Sequence, residues 1–344
     1  MHIPDGYLSL QTSIPFLGAM APIWSIALNK VKKVLSLKQV PLLSLCAAFS
    51  FVVMMFNIPL GQSSVHAIGA VFIAVLLGPW AACIAVSIAL VIQAFVFSDG
   101  GIIAIGANCF NIAFIMPFAG YYIYKAIAGK ADILSKRSIV GIFIGSYAGI
   151  NLAALFTAVE FGIQPILYKT AEGQPLYGFF PLAVSVPVMM FEHLVFAGPV
   201  EAAVTVSAVT YLAKFSPQLF AKNDNEVIDQ SIGVFRRYKA FILALLVMVI
   251  LTPVGLFATG TAWGEWGKDE IRKLLGFIPE GMDRLAEKWD ALIPDYTIPG
   301  LDSSFFSSSI GYIVSAAIGI VMISVLLILS GRFIVKKGNK EKQD

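Results

Sequence analysis

The sequence contains eight apolar runs that are long enough to cross a lipid bilayer. They fall at 14–29, 40–57, 79–97, 103–128, 138–163, 180–213, 239–259 and 308–331. A helix needs about 20 mostly apolar residues to cross about 30 Å of hydrocarbon. A shorter apolar run at 65–78 leads into Leu77-Gly78-Pro79-Trp80, which predicts a tight turn and therefore a separate short helix. Counting that helix, the sequence predicts an all-α polytopic membrane protein with about nine transmembrane helices.

The composition excludes an ordinary soluble protein. Hydrophobic residues make up 58% of the chain and charged residues 13%, and the mean hydropathy is +0.82. A soluble chain carries about 25% charged residues, so the lipid bilayer must supply much of the solvent around this one. The net charge of +3 gives no indication of nucleic-acid binding. Cys46, Cys83 and Cys109 all lie in apolar runs and indicate neither a disulfide framework nor a thiolate metal site.

The basic residues predict which side of the membrane each segment faces. Four segments, 30–38, 125–137, 214–239 and 332–342, hold 18 of the 24 lysines and arginines. Cytoplasmic loops carry an excess of these residues, and nine helices place all four segments on one side. The N-terminus is therefore predicted to lie outside and the C-terminus in the cytoplasm.

The polar stretch 216–238 is predicted to be a cytoplasmic linker between two helical units. The first unit is 1–215, and the second is 239–335, followed by a basic cytoplasmic tail at 336–344. An extracytoplasmic loop, 260–307, separates the two apolar runs of the second unit. That loop carries nine acidic residues: Glu265, Asp269, Glu270, Glu280, Asp283, Glu287, Asp290, Asp295 and Asp302.

The chain begins Met1-His2-Ile3-Pro4-Asp5-Gly6, which lacks the basic segment of a cleaved signal peptide. A residue as large as His2 blocks removal of the initiator methionine, so we expect Met1 to keep its free amine. The Met1 amine and the deprotonated His2 amide would close a five-membered chelate ring on a metal ion. The same amide and His2 Nδ1 would close a six-membered ring. Three nitrogens then lie in one plane with a fourth position open, and the following Pro-Asp-Gly predicts a turn that bends the first residues.

A deprotonated amide ligand restricts the choice of metal. Its cost is offset only when the metal gains ligand-field energy from a strong planar nitrogen field, as Ni(II) and Cu(II) do and Co(II) can. Mg²⁺ and Ca²⁺ gain nothing from such a field. The alternative interpretation is that His2 is an incidental exposed residue.

The fourth ligand must come from another segment, and His66 is the candidate. It lies at the outer start of the predicted short helix, on the same side as the N-terminus, and ionisable residues within the membrane are costly unless they have a function. The alternative is a histidine satisfied by a neighbouring carbonyl.

Supporting or gating roles are predicted for Asn57, Ser64, His193 and Glu201. The last two are eight residues apart on one helix face, so a structural polar pair is their alternative.

Several motifs resemble the CbiM/NikM family, the substrate-binding S components of energy-coupling factor transporters for cobalt and nickel. The stretches that carry the resemblance are Met1-His2-Ile3-Pro4-Asp5-Gly6-Tyr7-Leu8-Ser9, Met55-Phe56-Asn57-Ile58-Pro59, His66-Ala67-Ile68-Gly69-Ala70, Leu76-Leu77-Gly78-Pro79-Trp80-Ala81-Ala82, Gln93-Ala94-Phe95-Val96-Phe97-Ser98-Asp99-Gly100-Gly101 and Ala107-Asn108-Cys109-Phe110-Asn111. The resemblance covers roughly residues 1–215. It implies a seven-helix bundle and one Ni²⁺ or Co²⁺ held by Met1, His2 and His66.

Residues 239–335 are similar to the two-helix N component that accompanies these proteins. Pro279-Glu280-Gly281-Met282-Asp283 stands where that component usually reads Pro-Asp-Gly-Leu-Glu. Such a fusion is more typical of the nickel branch of the family. The resemblance therefore implies high-affinity capture and uptake of nickel, with cobalt for cobalamin supply as the alternative.

The chain contains no Gly-x-x-x-x-Gly-Lys-Ser/Thr loop for ATP, so it is predicted to be a transporter subunit and not an enzyme. The resemblance implies two ATPase subunits and a transmembrane coupling subunit as partners, in the cell membrane of a bacterium or archaeon. A secondary metal/proton transporter is the alternative, although Glu160, Glu192 and Glu201 form no spaced carboxylate motif. An intramembrane protease is disfavoured because His-Glu-x-x-His is absent from the sequence.

Overall fold

The computed structural model describes residues 1–34, 39–60, 63–220, 234–258, 261–286, 288–301 and 304–340. Within these residues the chain is mostly helical, with one two-stranded sheet. The predicted linker 216–238 lies largely outside the described residues, as do Glu287 and Asp302 of the acidic loop and parts of the basic segments 30–38, 214–239 and 332–342.

The helices follow the predicted apolar runs. In chain order α1 to α4 are Leu10–Val34, Val40–Met54, Ala70–Leu77 and Pro79–Phe97. Helix α5 runs through Ile105–Asn108, Cys109–Ile115 and Met116–Ala128, and α6 and α7 are Lys136–Leu167 and Leu182–Phe215. The C-terminal region contains α8 to α11, which are Lys239–Phe257, Lys268–Leu275, Glu280–Leu285 and Phe305–Lys340.

In the described part of the chain six helices are long and apolar enough to cross a membrane, so the chain is a polytopic membrane protein. They are Leu10–Lys33, Pro79–Phe97, Lys136–Leu167, Leu182–Phe215, Lys239–Phe257 and Phe305–Gly331. Helix α2 is apolar but has only 15 residues, and α3 has eight, whereas a perpendicular span needs about 20. The count of nine transmembrane helices therefore stays a prediction.

The turn predicted before Trp80 is confirmed. Gly78 separates α3 from α4 with φ of +87°, a left-handed conformation that glycine adopts without steric cost, and Pro79 follows at the first position of α4.

The helix predicted over 65–78 is wrong in its first turn. An antiparallel hairpin comes first, in which β1 (Ile58–Leu60) pairs with β2 (Ser63–Val65), and α3 begins only at Ala70. The intervening residues 66–69 form a loop because a tertiary contact holds them: the Glu201 carboxylate accepts hydrogen bonds from the Ile68 and Gly69 amides at 2.7 and 3.0 Å. His66 therefore lies on a loop beside the bundle's outer hairpin and not on a helix.

Among the described helices, α4, α5 and α7 each contain a π-helical turn, at Gln93–Phe97, Cys109–Ile115 and His193–Ala197. Such a turn inserts one extra residue, re-aims the side chains around it and is frequent at functional sites. In this chain the three turns contain the buried polar side chains of Gln93, Asn111 and His193.

The C-terminal helices α8 and α11 pack against α2. The Phe241 ring of α8 lies 6.2 Å from the Phe49 ring of α2, and Gly319 of α11 lies against the Phe51 ring of the same helix. The second unit is thereby seated beside the N-terminal bundle, with its 260–307 loop over the end of the bundle that holds the N-terminus.

The close crossing of α5 and α6 generates a stability prediction. Gly145 of α6 touches the Gly120 backbone of α5 so closely that a methyl group would overlap the Gly120 carbonyl oxygen. We expect Gly145→Ala to lower the free energy of unfolding by about 1–3 kcal/mol through overpacking, measured as a lower midpoint of thermal unfolding in detergent. Gly18→Ala is the matched control, because no atom lies within 4 Å of its added carbon. Equal midpoints for the two variants would contradict this packing.

Candidate metal centre

The first three residues are buried inside the protein, so His2 is not an exposed residue. Met1, His2 and Ile3 are 6%, 2% and 0% exposed. The Asn108 side chain holds them in place: its Oδ1 accepts from the Ile3 amide at 2.8 Å, and its Nδ2 donates to the Ile3 carbonyl at 3.1 Å. The Gly101 amide donates to the same carbonyl at 2.8 Å. A chain end that would otherwise fray is thereby fixed at residue 3.

The turn predicted at Pro4-Asp5-Gly6 is present and has a second anchor. Gly6 has φ of +88°, and the Tyr7 amide lies 3.4 Å from the Pro4 carbonyl oxygen. The Asp5 carboxylate accepts hydrogen bonds from three successive backbone amides, of residues 102, 103 and 104. Burial raises the pKa of Asp5, and these three hydrogen bonds oppose that shift. Asp5 is thus a structural anchor as well as a turn residue.

His2 and His66, the two histidines of the predicted ligand set, lie side by side. Their ring centroids are 5.1 Å apart and their planes differ by 23°. His66 Nδ1 lies 3.1 Å from the Ala67 carbonyl oxygen, so this nitrogen is satisfied by a neighbouring carbonyl, which is the alternative named above. The other ring nitrogen, Nε2, is left to coordinate a metal ion. Neither ring nitrogen of His2 makes a hydrogen bond within the described part of the chain.

The backbone nitrogens of the first two residues differ in their partners. The Met1 amine forms a 2.5 Å ion pair with the Glu265 carboxylate of the 260–307 loop. The His2 amide donates no hydrogen bond to any residue that the structure describes. An amide that is buried without a partner is costly, and coordination of a metal by this nitrogen would remove that cost.

Electrostatics keep His66 neutral. Burial, with smaller contributions from His2 and the amino terminus, lowers the pKa of His66 to about 4. The imidazole is therefore neutral at neutral pH, and protons compete with a metal for it less than they would for an exposed histidine.

Asp99 is a site residue that the sequence analysis did not single out. Its Oδ1 lies 3.2 Å from His2 Nδ1, without hydrogen-bond geometry. Its Oδ2 accepts from the Tyr296 hydroxyl at 2.5 Å and from Gln93 Nε2 at 3.0 Å. Burial alone would raise the pKa of Asp99, but the His2 ring and the Tyr296 hydroxyl lower it below its ordinary value.

Sequence reasoning also missed Glu265, Tyr296 and Asn108 as parts of this site. Glu265 was one of nine acidic residues in a loop, and no pattern distinguished it from the others. Tyr296 follows Asp295 in a stretch without periodicity. Asn108 was visible only as a polar residue in an apolar run, which usually signals an interhelical hydrogen bond.

The four predicted supporting residues have different positions. Asn57 and Ser64 line a cavity of about 270 Å³ together with His2 and His66. His193 lines a separate cavity of about 10 Å³ with Met1 and His66, which is room for about one water. Glu201 holds the backbone that follows His66.

His193 and Glu201 each have their own partners in the described structure. His193 Nδ1 lies 2.9 Å from the Met189 carbonyl oxygen, one turn back on α7. Glu201 accepts from Thr205 Oγ1 at 3.2 Å in addition to the two loop amides. In the described structure these two side chains therefore bond to other groups and not to each other.

The arrangement offers nitrogen donors rather than a cluster of side chains. In the described ranges no three His, Cys, Asp or Glu side chains are grouped to hold a metal ion. The predicted metal ligands are not such a cluster of side chains, because two of the four nitrogens belong to the main chain of Met1 and His2. Cys46, Cys83 and Cys109 are buried away from this site and free.

Two families match this chain in consecutive regions. The profile of the cobalt uptake substrate-specific transmembrane region, CbiM, matches residues 2–219. The PDGLE domain matches residues 238–336.

Two relatives are similar over nearly the whole chain. The fused nickel transport protein NikMN of Rhodobacter capsulatus is 41% identical, over 94% of this chain and 95% of its own. A probable fused nickel transport protein, LarMN, of Lactiplantibacillus plantarum is 40% identical, over 95% of this chain and 96% of its own. The crystal structure of a truncated transition metal transporter is 49% identical, with a TM-score of 0.59, and covers 62% of this chain and 99% of that one.

The Asn108 clamp generates a prediction that does not depend on metal. Asn108→Ala removes both hydrogen bonds to Ile3 and should release the first residues from the bundle. We expect labelling of the Met1 amine by a water-soluble acylating reagent, read on the N-terminal peptide by mass spectrometry, to rise about five- to 150-fold, since two buried hydrogen bonds contribute about 1–3 kcal/mol. Asn151→Ala is the matched control, because the Asn151 amide donates to Tyr147 within its own helix. Equal labelling of the two variants would show that Asn108 does not hold the N-terminus.

Proposed function

The chain belongs to the CbiM family of substrate-specific membrane transport proteins, extended by a PDGLE domain, and on this premise we propose that it captures Ni²⁺ outside the cell for uptake. The division proposed is a metal-binding S component at 1–215 and an N-component-like region at 239–335, joined by a cytoplasmic linker at 216–238. Nine transmembrane helices, an outward N-terminus and a cytoplasmic C-terminal tail complete the topology. Membrane transport itself follows from the family and from the six apolar spans.

One observation carries the proposal for the site: the His2 ring, whose nitrogens make no hydrogen bond among the described residues, has its centroid 5.1 Å from that of His66 and directly follows a buried residue with a free amine. We propose that the substrate ion binds the Met1 amine, the His2 amide, His2 Nδ1 and His66 Nε2 in one plane. The two chelate rings place the amine and Nδ1 on opposite sides of the ion. His66 then lies opposite the amide and next to His2, which agrees with the ring separation.

Nickel is proposed over cobalt for a chemical and a comparative reason. A deprotonated amide is a strong-field ligand, and Ni(II) gains more than Co(II) from a square of four nitrogens. The two relatives that match nearly the whole chain are named as nickel transport proteins. Uptake of Co²⁺ for cobalamin supply is the alternative, because the family profile is that of cobalt uptake.

Energy coupling is proposed to come from other subunits. The sequence has no phosphate-binding loop of the Gly-x-x-x-x-Gly-Lys-Ser/Thr type, so two ATPase subunits and a transmembrane coupling subunit would drive transport. The chain would then be a transporter subunit without enzymatic activity of its own. The runner-up is a secondary metal/proton transporter, for which this chain alone would be sufficient.

The proposed geometry predicts an unusual response to lengthening the N-terminus. One alanine inserted after Met1 moves the histidine to third place, where amine, two amides and imidazole fill a nickel square without His66. In that variant His66→Ala should leave the yellow absorption of square-planar nickel in place. In the unmodified chain the same substitution should weaken nickel binding more than about 100-fold, since even the loss of a group that orients a ligand costs 10–100-fold. Equal dependence on His66 in both backgrounds would rule out this ligand set.

The coupling proposal is tested in sealed vesicles that contain the chain alone. We expect no concentrative uptake of radioactive nickel under a proton gradient, because the chain is proposed to depend on ATPase partners and not on protons for energy. Uptake should begin when the ATPase and coupling subunits are added to the membrane and ATP is supplied on the side of the ATPase subunits. Gradient-driven accumulation by the chain alone would instead establish the secondary transporter.

A further inference from the structure

A carboxylate-lined cavity adjoins the two histidines. It has a volume of about 270 Å³, and its acidic lining residues are Asp99, Glu265 and Asp295. Asp99 follows α4 in the first unit, whereas Glu265 and Asp295 belong to the outer loop of the second unit. No lysine or arginine is among the described residues that line it. We name this cavity the antechamber.

The antechamber opens into a wider cleft of about 970 Å³. The two spaces share Pro4, Ser98, Gly100, Glu265 and Asp295 in their linings. The cleft is also predominantly acidic, and its two basic residues lie beside carboxylates: Lys268 is 2.7 Å from Asp283, and Arg272 is 4.0 Å from Asp269. A cation that enters from the cleft therefore passes from one acidic space into a smaller one.

The three carboxylates are not arranged as direct ligands. Asp99 is held by Tyr296 and Gln93, and Glu265 is held by the Met1 amine. The described residues contain no group of three such side chains that could hold a bare ion. Six waters occupy about 180 Å³ at about 30 Å³ each, so the cavity has room for an ion that keeps its inner hydration shell.

A second feature points to a ligand in this space. His2 lines the antechamber and is only 2% exposed, yet both of its ring nitrogens lack a hydrogen-bond partner among the described residues. A buried polar group without a partner is costly and calls for a ligand or water. The unpartnered nitrogens therefore lie where a hydrated ion held by the carboxylates would exchange its waters for nitrogen.

We propose that the antechamber binds the hydrated divalent cation through its water shell, with Asp99, Glu265 and Asp295 as the charged groups, before the ion is dehydrated into the nitrogen site. This inference rests on the proposed function. Charges that act across a water layer raise the local concentration of a cation and the rate of association more than the final affinity. Two of the three carboxylates come from the second unit, so that region contributes to the rate of capture.

Asp295→Asn is the variant that tests the antechamber. Asp295 has φ of +51°, a conformation that asparagine also tolerates, so the substitution removes the charge and keeps the backbone. Asp295 forms no hydrogen bond or ion pair with Met1, His2 or His66 in the described structure. Asp290→Asn is the matched control, because Asp290 lies in the same loop, is exposed and lines neither space.

The probe is hexaamminecobalt(III), a cation whose inert ammine shell resembles a hydrated ion and cannot be exchanged for protein nitrogens. With the full-length protein in detergent, the probe should slow nickel loading, followed by the growth of yellow absorption, without changing the final spectrum. Asp295→Asn should load nickel about three- to tenfold more slowly and respond less to the probe, again with an unchanged final spectrum. Added salt should weaken each effect, and Asp290→Asn should behave as the unmodified protein.

Two results would overturn the antechamber: no effect of the probe on loading, or equal slowing by Asp290→Asn, which would indicate only the general charge of the loop. Equilibrium dialysis of the probe alone provides a measurement that does not depend on nickel capture. Tighter binding of hexaamminecobalt(III) by the unmodified protein than by Asp295→Asn supports the antechamber, and equal binding rejects it. Failure of the unmodified protein to form any nitrogen-bound nickel species would reject the proposed function instead.

Discussion

The amide side chain of Asn108 holds the main chain of Ile3 through one donor and one acceptor, and the geometry of the site depends on that grip. The carboxylate of Asp5 adds a second anchor through three amides at the start of α5. Between them these contacts remove the conformational freedom that a chain end normally has. Met1 and His2 extend only two residues from the anchor, so their nitrogens are ordered before any ion arrives. Ordering the ligands in advance lowers the entropy cost of binding.

A second set of contacts joins the two sequence regions around this segment. The Tyr7 hydroxyl donates to the Trp266 carbonyl, and the Met282 amide donates to the Leu176 carbonyl. Met282 lies under Gly6, where any side chain would overlap its carbonyl oxygen. The PDGLE-like segment is therefore fitted to the N-terminal turn, and Glu265 and Tyr296 reach Met1 and Asp99 because of that seating.

The buried polar groups of the bundle are arranged to support this outer site. Glu201 sits in α7, within the membrane region, yet its carboxylate fixes the loop that carries His66. Gln164 of α6 accepts from the Ser9 amide and so holds the chain where it enters α1. Within a membrane no water is available to bond backbone N–H and C=O groups. Side chains of this kind therefore bond the backbone groups that lie outside the helices. Burying these polar side chains costs free energy, and the hydrogen bonds by which they position the N-terminal segment and the His66 loop offset that cost.

The sequence by itself determined the polytopic helical class, the turn at Gly78 and the turn after Ile3, and it predicted a nitrogen site at Met1, His2 and His66. The class and the turns follow from local information, namely apolar length and the backbone freedom of glycine. The chelate rings that adjacent residues can close suggested only Met1 and His2, whereas His66 was inferred from its predicted side of the membrane and from the family resemblance. Only the tertiary structure decided that 66–69 is a loop, that Asn108 anchors Ile3, and that Glu265, Asp295 and Tyr296 come to the site from more than 150 residues away. Those outcomes depend on contacts between distant segments, and a single sequence carries no periodic signal for such contacts. Glu265 is an example, because nothing in the acidic loop distinguishes it from its neighbours until the fold places it beside the Met1 amine.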